Sequence, residues 1–189
     1  MDPQQLQYYQ ALRRQGFGAR HALACLKGRV ALDLKCAATG FAWAENRHGS
    51  LHACWQQDGF DLTAAVVNDE DGWWASGVSC IGRFSRRWEP GSIRHRLGGG
   101  NACEWFLPAN FGDPKDEYSR ACAYGRDWWY VGVKVEASRA DVTLGSGLSM
   151  GVEFDPQGDR LHLTGIAFDL ASEAVGEAQQ KLRTLCGCH

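Results

Sequence analysis

The chain has 189 residues, 44% hydrophobic and 22% charged, with a net charge of -2, and these proportions describe one ordinary water-soluble globular domain. No apolar run approaches the roughly 18 residues that a membrane-spanning helix needs, and residues 1–10, MDPQQLQYYQ, lack the basic-then-apolar pattern of an export signal, so a cytoplasmic protein without a membrane partner is expected. Residues 1–101 hold 12 Lys+Arg against 9 Asp+Glu and residues 102–189 hold 8 against 13, which is too even to mark a nucleic-acid partner, while eight Trp, eight Phe and five Tyr exclude a disordered chain.

Residues 3–15 place Leu6, Tyr9 and Leu12 at three-residue spacing, with Asp2 as N-cap, Pro3 at the first helical position and Gly16 as the stop. A second helix is expected over residues 19–27, with Ala22, Leu23 and Leu26 on its apolar face. Gly28 is its expected end, with continuation towards Leu34 as the alternative. From Gly40 to Phe84 the pattern changes to short runs rich in Trp, Val and Phe, separated by Gly, Asn and Asp, which is the rhythm of an antiparallel meander. Residues 47–50 and the pair Asp58-Gly59 suit the first two reversals.

Residues 85–127 are the least regular stretch, read as loops with one short helix after Pro114. Residues 128–137 and 141–154 then read as a hairpin closed at residues 138–140. Leu163, Ile166, Phe168, Leu170, Ala174, Ala178, Leu182 and Leu185 recur at mostly three- and four-residue spacings, which predicts a terminal helix of five or more turns capped by Asp159 or Thr164. The expected fold class is α+β, a single domain over residues 1–189 with a central antiparallel sheet, N-terminal helices and a long C-terminal helix.

With no export signal and enough chain for a core, the eight cysteines read as mostly free and buried, Cys36, Cys54, Cys80 and Cys122 among them. The terminal run Cys186-Gly187-Cys188-His189 offers soft ligands, and His21 and Cys25 share one helical face, so His21, Cys25, Cys186 and Cys188 form a candidate zinc set against the alternative of a reduced tail. Gly145, Gly147 and Gly151 superficially match a dinucleotide-binding turn. A strand-like VEF follows where a phosphate-binding helix would have to start, so a bent strand is the reading and no cofactor is expected.

Arg83, Arg86, Arg87, Arg94 and Arg96, interleaved with Trp88 and His95, make the strongest basic cluster in the sequence. Such a cluster clamps phosphate or an acidic protein surface, or forms a solvated loop paired with acidic residues elsewhere. Asp69, Glu70 and Asp71 read as a solvated turn. In each of the pairs Trp73-Trp74 and Trp128-Trp129, strand alternation turns one ring inward and the other outward, and Trp73 and Trp128 join the arginines as candidate partner anchors. No GxSxG elbow or Walker motif occurs, so catalytic residues are not assigned.

The stretch WWYVGVKVEASRADVTLGSGLSMGVEF, with its Trp-Trp start and two strands ending in Val-Glu-Ala and Gly-Val-Glu, resembles small accessory proteins encoded on bacterial phages and plasmids. The EWFLP segment, the helix near residues 19–23 and the terminal helix are similar in order. Leu148, Ser149 and Met150 depart from the pattern, where an aromatic is expected. The resemblance implies an accessory protein of the kind represented by anti-CRISPR inhibitors, with a protein complex of the host defence machinery as partner. Two other readings stay open: a small enzyme using Glu104 and Glu153, and a metal-stabilised nucleic-acid-binding module using the arginines and terminal cysteines.

Overall fold

The computed structural model describes residues 1–47, 49–69, 81–95, 104–109 and 112–187. Among the described residues, four helices and eight strands follow one another as α1 (Pro3–Arg14), α2 (Ala19–Thr39), β1 (Ala44–Glu45), β2 (Leu51–Gln57), β3 (Phe60–Asn68), β4 (Gly82–Ser85), β5 (Ile93–Arg94), β6 (Trp105–Pro108), α3 (Pro114–Ala123), β7 (Trp129–Arg139), β8 (Val142–Phe154) and α4 (Leu161–Cys186). Helices at both ends of antiparallel strands, with a long C-terminal helix, make this an α+β protein. No helix among the described residues is long and apolar enough to cross a membrane.

The strands form a five-stranded sheet in the order β1-β2-β3-β7-β8 and a three-stranded sheet in the order β4-β6-β5. The chain divides into two compact units. One is built from Met1–Ala65, Val135–Gly147 and Arg160–His189, the other from Val66–Lys134 and Leu148–Asp159.

In the first unit the start of α1 is fixed by a reciprocal capping box. The Asp2 carboxylate accepts from the Gln5 backbone N–H at 2.8 Å, and the Asp2 N–H donates to the Gln5 side chain at 3.2 Å, a device that contributes about 1 kcal/mol. Leu12 is buried on α2, whereas Leu6 is 46% exposed, so the predicted apolar face of α1 is only partly covered.

The second helix runs well past its expected end. Gly28 lies inside α2, because its flanks Leu26, Lys27, Arg29 and Val30 continue the helix and outweigh a single-glycine cost of about 1 kcal/mol. The helix stops at Gly40, whose left-handed φ of 69° lets its N–H return to the Cys36 carbonyl.

β2 and β3 pair antiparallel from His52↔Ala65 to Gln57↔Phe60, closed by Asp58 and Gly59 at φ 53° and 79°, the left-handed pair of a two-residue hairpin. β7 and β8 close in the same way at Ala140 and Asp141, φ 50° and 61°. The core of this unit gathers Phe41, Trp55 and Phe168, with ring centroids 4.9 to 5.8 Å apart. α4 reaches β8 through small residues, since a Cβ placed on Gly145 would overlap the Ala174 carbonyl. Glu177 on α4 accepts from the Ser146 N–H at 2.9 Å, so a carboxylate covers one backbone donor of this edge strand.

α4 has Arg160 in the capping position with no side-chain cap bond, which corrects the Asp159 or Thr164 expectation. Thr164 lies inside the helix, donates to the Arg160 carbonyl and accepts from Trp43 Nε1 at 3.1 Å. Cys54 and Cys122 are exposed and Cys36 is half-buried, against the expectation of buried thiols. Cys80 falls outside the described residues.

The second unit corrects the single meander. Residues 82–85 leave the first three strands and pair instead with β6, in register from Gly82↔Pro108 to Ser85↔Trp105. The stretch expected to be irregular also contains β5, aligned by Ile93↔Phe106, together with α3, the helix expected after Pro114. Its core joins Ile81, Phe106, Ala121, Trp128 and Tyr130, with Phe84, Tyr118 and Tyr124 packed against them. Residues 144–151 lie within β8, so the three-glycine segment is a strand. At Gly151, φ 72°, the N–H donates to the Asp69 carboxylate at 2.7 Å.

Candidate functional site

The arginine-rich segment belongs to the second unit and is organised by β6. Because β4 and β5 flank β6 and both run antiparallel to it, residues 86–92 must carry the chain from one side of β6 to the other. The ends of this connection are anchored by rings. Phe84 packs on the fully buried Phe106 at 5.1 Å, and His95 packs on Phe84 at 4.5 Å.

The connection itself is held by short-range bonds. Arg83 Nη2 donates to both oxygens of Glu89 at 2.7 and 2.6 Å. The Arg87 N–H donates to Ser85 Oγ at 3.1 Å, while Ser92 gives its hydroxyl and its backbone N–H to the Glu89 carbonyl and accepts from the Glu89 N–H. Arg86, Arg87 and Arg94 are exposed, and Trp88 at the middle of the turn is 61% exposed. The result is an exposed indole that follows two exposed arginines in the chain, on a backbone tied down by these bonds.

Five of the predicted anchors, Arg83, Arg86, Arg87, Trp88 and Arg94, therefore lie on this one segment, with Arg83 engaged by Glu89. Arg96 and Trp73 fall outside the described residues. Trp128 is corrected: its ring is 9% exposed, its Nε1–H donates to the Arg120 carbonyl at 2.9 Å, and Tyr124 and Tyr130 meet it edge-on at 5.0 and 5.4 Å. The strand begins one residue later, at Trp129, which is half-buried and meets Phe154 edge-on at 5.3 Å.

The zinc candidates are not assembled among the described residues. His21 is exposed and stacks on Phe17 at 5.1 Å, Cys25 is half-buried and Cys186 is exposed near the end of α4. Cys188 falls outside the described residues, among which no group of three His, Cys, Asp or Glu side chains is placed to hold a metal. The two carboxylates considered for acid–base work do not share a pocket. Glu104 is exposed, and Glu153 pairs with Arg120 at 2.7 Å on the surface. A groove of about 750 Å³ lies between α1 and α2, lined by Gln4, Tyr8, Arg29, Asp33 and Leu34, and none of the predicted site residues among the described ones lines it.

Sequence reasoning missed the environment of His95. The ring is 7% exposed, its Nδ1 lies 3.0 Å from the Tyr118 hydroxyl, and its backbone N–H donates to the Glu104 carbonyl at 2.7 Å. Burial holds its pKa below the ordinary 6.5, so the imidazole is neutral at pH 7. Between the folded value and 6.5 the unfolded chain binds more protons than the folded one, so stability rises with pH across that window and falls on acidification below 6.5. Thermal unfolding between about pH 7.5 and about pH 5 should show a steeper loss for the wild type than for His95→Phe. Equal slopes would mean that this ring titrates alike in both states.

The fold and this surface together define an α+β chain that displays a braced arginine-tryptophan turn. No protein family, curated protein or solved structure matches it.

Proposed function

We propose that the chain is a non-enzymatic binding protein that docks through Arg86, Arg87, Trp88 and Arg94 on a subunit of a bacterial defence complex and inhibits it, with a CRISPR surveillance complex as the leading case. The observation that carries the reading is Trp88, 61% exposed on a turn already braced by the Arg83–Glu89 pair and the Ser92 hydrogen bonds. An anchor fixed before docking gives up less conformational freedom on binding. Trp and Arg are also the side chains that most often dominate the energy of protein interfaces.

The choice of partner rests on the resemblance of residues 128–154 to accessory proteins of mobile elements. A net charge of -2 favours specific docking over imitation of DNA, whose charge density is far greater. The occupant of the turn is then an acidic protein surface with a cleft for an indole, and inhibition is stoichiometric.

The test is a titration of the protein against a purified CRISPR surveillance complex, reading target-DNA binding. Inhibition should saturate near one protein per complex. Trp88→Ala should weaken it by about 2 kcal/mol, roughly 30-fold, and the double change Arg86→Ala with Arg87→Ala should also weaken it, while both variants keep the wild-type melting temperature. Undiminished inhibition by both variants would move the interface elsewhere. No inhibition by the wild type would remove this partner.

A further inference from the structure

The second unit holds a thiol beside an imidazole. Tyr118 and Cys122 lie four residues apart on α3 and so share one face of that helix. His95, the residue after β5, meets that face with Nδ1 3.0 Å from Tyr118 Oη and 3.9 Å from Cys122 Sγ, the second within reach of a sulfur hydrogen bond. The imidazole is buried and locked by Phe84 and Tyr118, whereas Cys122 is a free, exposed thiol. Base and nucleophile thus meet at the surface with opposite access to solvent.

We propose that Cys122 is a reactive thiol, activated by His95, that forms a mixed disulfide with a low-molecular-weight disulfide. The Sγ–H proton passes to His95 Nδ1 as Sγ attacks one sulfur of the disulfide. A new S–S bond forms, the old one breaks, and the departing thiolate takes the proton back from the imidazolium. The balance is one protein thiol plus one disulfide giving one mixed disulfide plus one small thiol, with the small disulfide as the oxidant.

Position on the helix selects this chemistry. Cys122 sits in the last turn of α3, where unpaired backbone groups are carbonyls and not N–H donors. Acyl transfer builds an oxyanion that needs such donors. Thiol exchange builds none and needs only a thiolate with an open approach. Tyr118 competes with the thiol for the same nitrogen and so restrains the reaction.

The test uses the full chain with oxidised glutathione at pH 7, reading mixed-disulfide formation at each cysteine by peptide mass spectrometry. Cys54, exposed and outside this cluster, is the internal comparator. Cys122 should react on the order of ten-fold faster than Cys54. His95→Gln should reduce Cys122 to the Cys54 rate. Tyr118→Phe, which keeps the ring and frees Nδ1, should raise it.

A Cys122 rate no greater than that of Cys54 would overturn the proposal, as would a Cys122 rate unchanged by His95→Gln. Circular dichroism checks the fold of each variant. Should His95→Gln unfold, Tyr118→Phe decides alone, and a rate at or below wild type overturns the proposal. The inference is independent of the docking surface, which stands or falls on its own titration.

Discussion

Phe168→Ala is expected to cost about 3 to 5 kcal/mol, which for a chain of this size lowers the melting temperature by roughly 6 to 20 °C. The ring is 2% exposed and sits where α4 meets the rest of its unit. Phe41 tilts against it at 5.0 Å, Trp55 meets it edge-on at 5.8 Å, and the Lys35 ammonium lies 4.3 Å above its face. Truncation removes the transfer energy of the ring and leaves a cavity bordered by Lys35 on α2, Phe41 just after that helix and Trp55 on β2. Phe168→Leu keeps most of the volume and should cost about 1.5 kcal/mol or less, so the gap between the two variants measures the cavity. Equal, small losses by thermal or urea unfolding would show that the aromatic cluster does not hold α4.

Gly145→Ala should be comparably damaging for the opposite reason. A single methyl on Gly145 meets the Ala174 carbonyl and comes within 2.9 Å of the Ala178 nitrogen, both of them backbone atoms of α4 that no rotamer change can move. Strand and helix must separate, and the expected cost is about 3 kcal/mol, at the upper end for an added methyl. Gly165 supplies the control. It lies within α4, a Cβ there meets nothing within 4 Å, and Gly165→Ala should stabilise the protein by about 0.5 to 1 kcal/mol through helix propensity. The same substitution in two neighbouring elements thus has opposite signs, decided by what the methyl meets.

The parts of the fold that were legible in the sequence are those whose determinants are local. Asp2 and Pro3 mark the start of α1, Asp58-Gly59 places the β2–β3 turn, and the apolar spacing of residues 163–185 describes α4. α2 was legible at its start and not at its end, because Gly28 and Gly40 look alike in sequence while only Gly40 takes the left-handed conformation. β5 and β6 span two and four residues, too few for an alternating pattern to register.

The candidate surface was legible as a cluster of charge and indole, since Arg83 to Arg94 are neighbours in the chain. Its bracing was not, because the Glu89 and Ser92 bonds depend on the path the connection takes around β6. Trp128 illustrates the limit of alternation. Its ring lies just before the strand and is covered by Arg120 of α3, by Tyr124 and by Tyr130. The His95–Cys122 pair lies beyond any local rule, because 27 residues separate the two side chains and only the tertiary packing that brings His95, just after β5, against α3 joins them.

The proposed function makes the braced turn at Trp88 a docking surface for a defence-complex subunit. Its most direct measurement is affinity capture from a nuclease-treated, defence-competent bacterial lysate, run in parallel with tagged wild type and with the triple variant Arg86→Ala, Arg87→Ala, Trp88→Ala. The account predicts that a defence-complex subunit is retained by the wild type and lost by an equally folded triple variant. Equal retention by both, or recovery of no defence protein by the wild type, would contradict it.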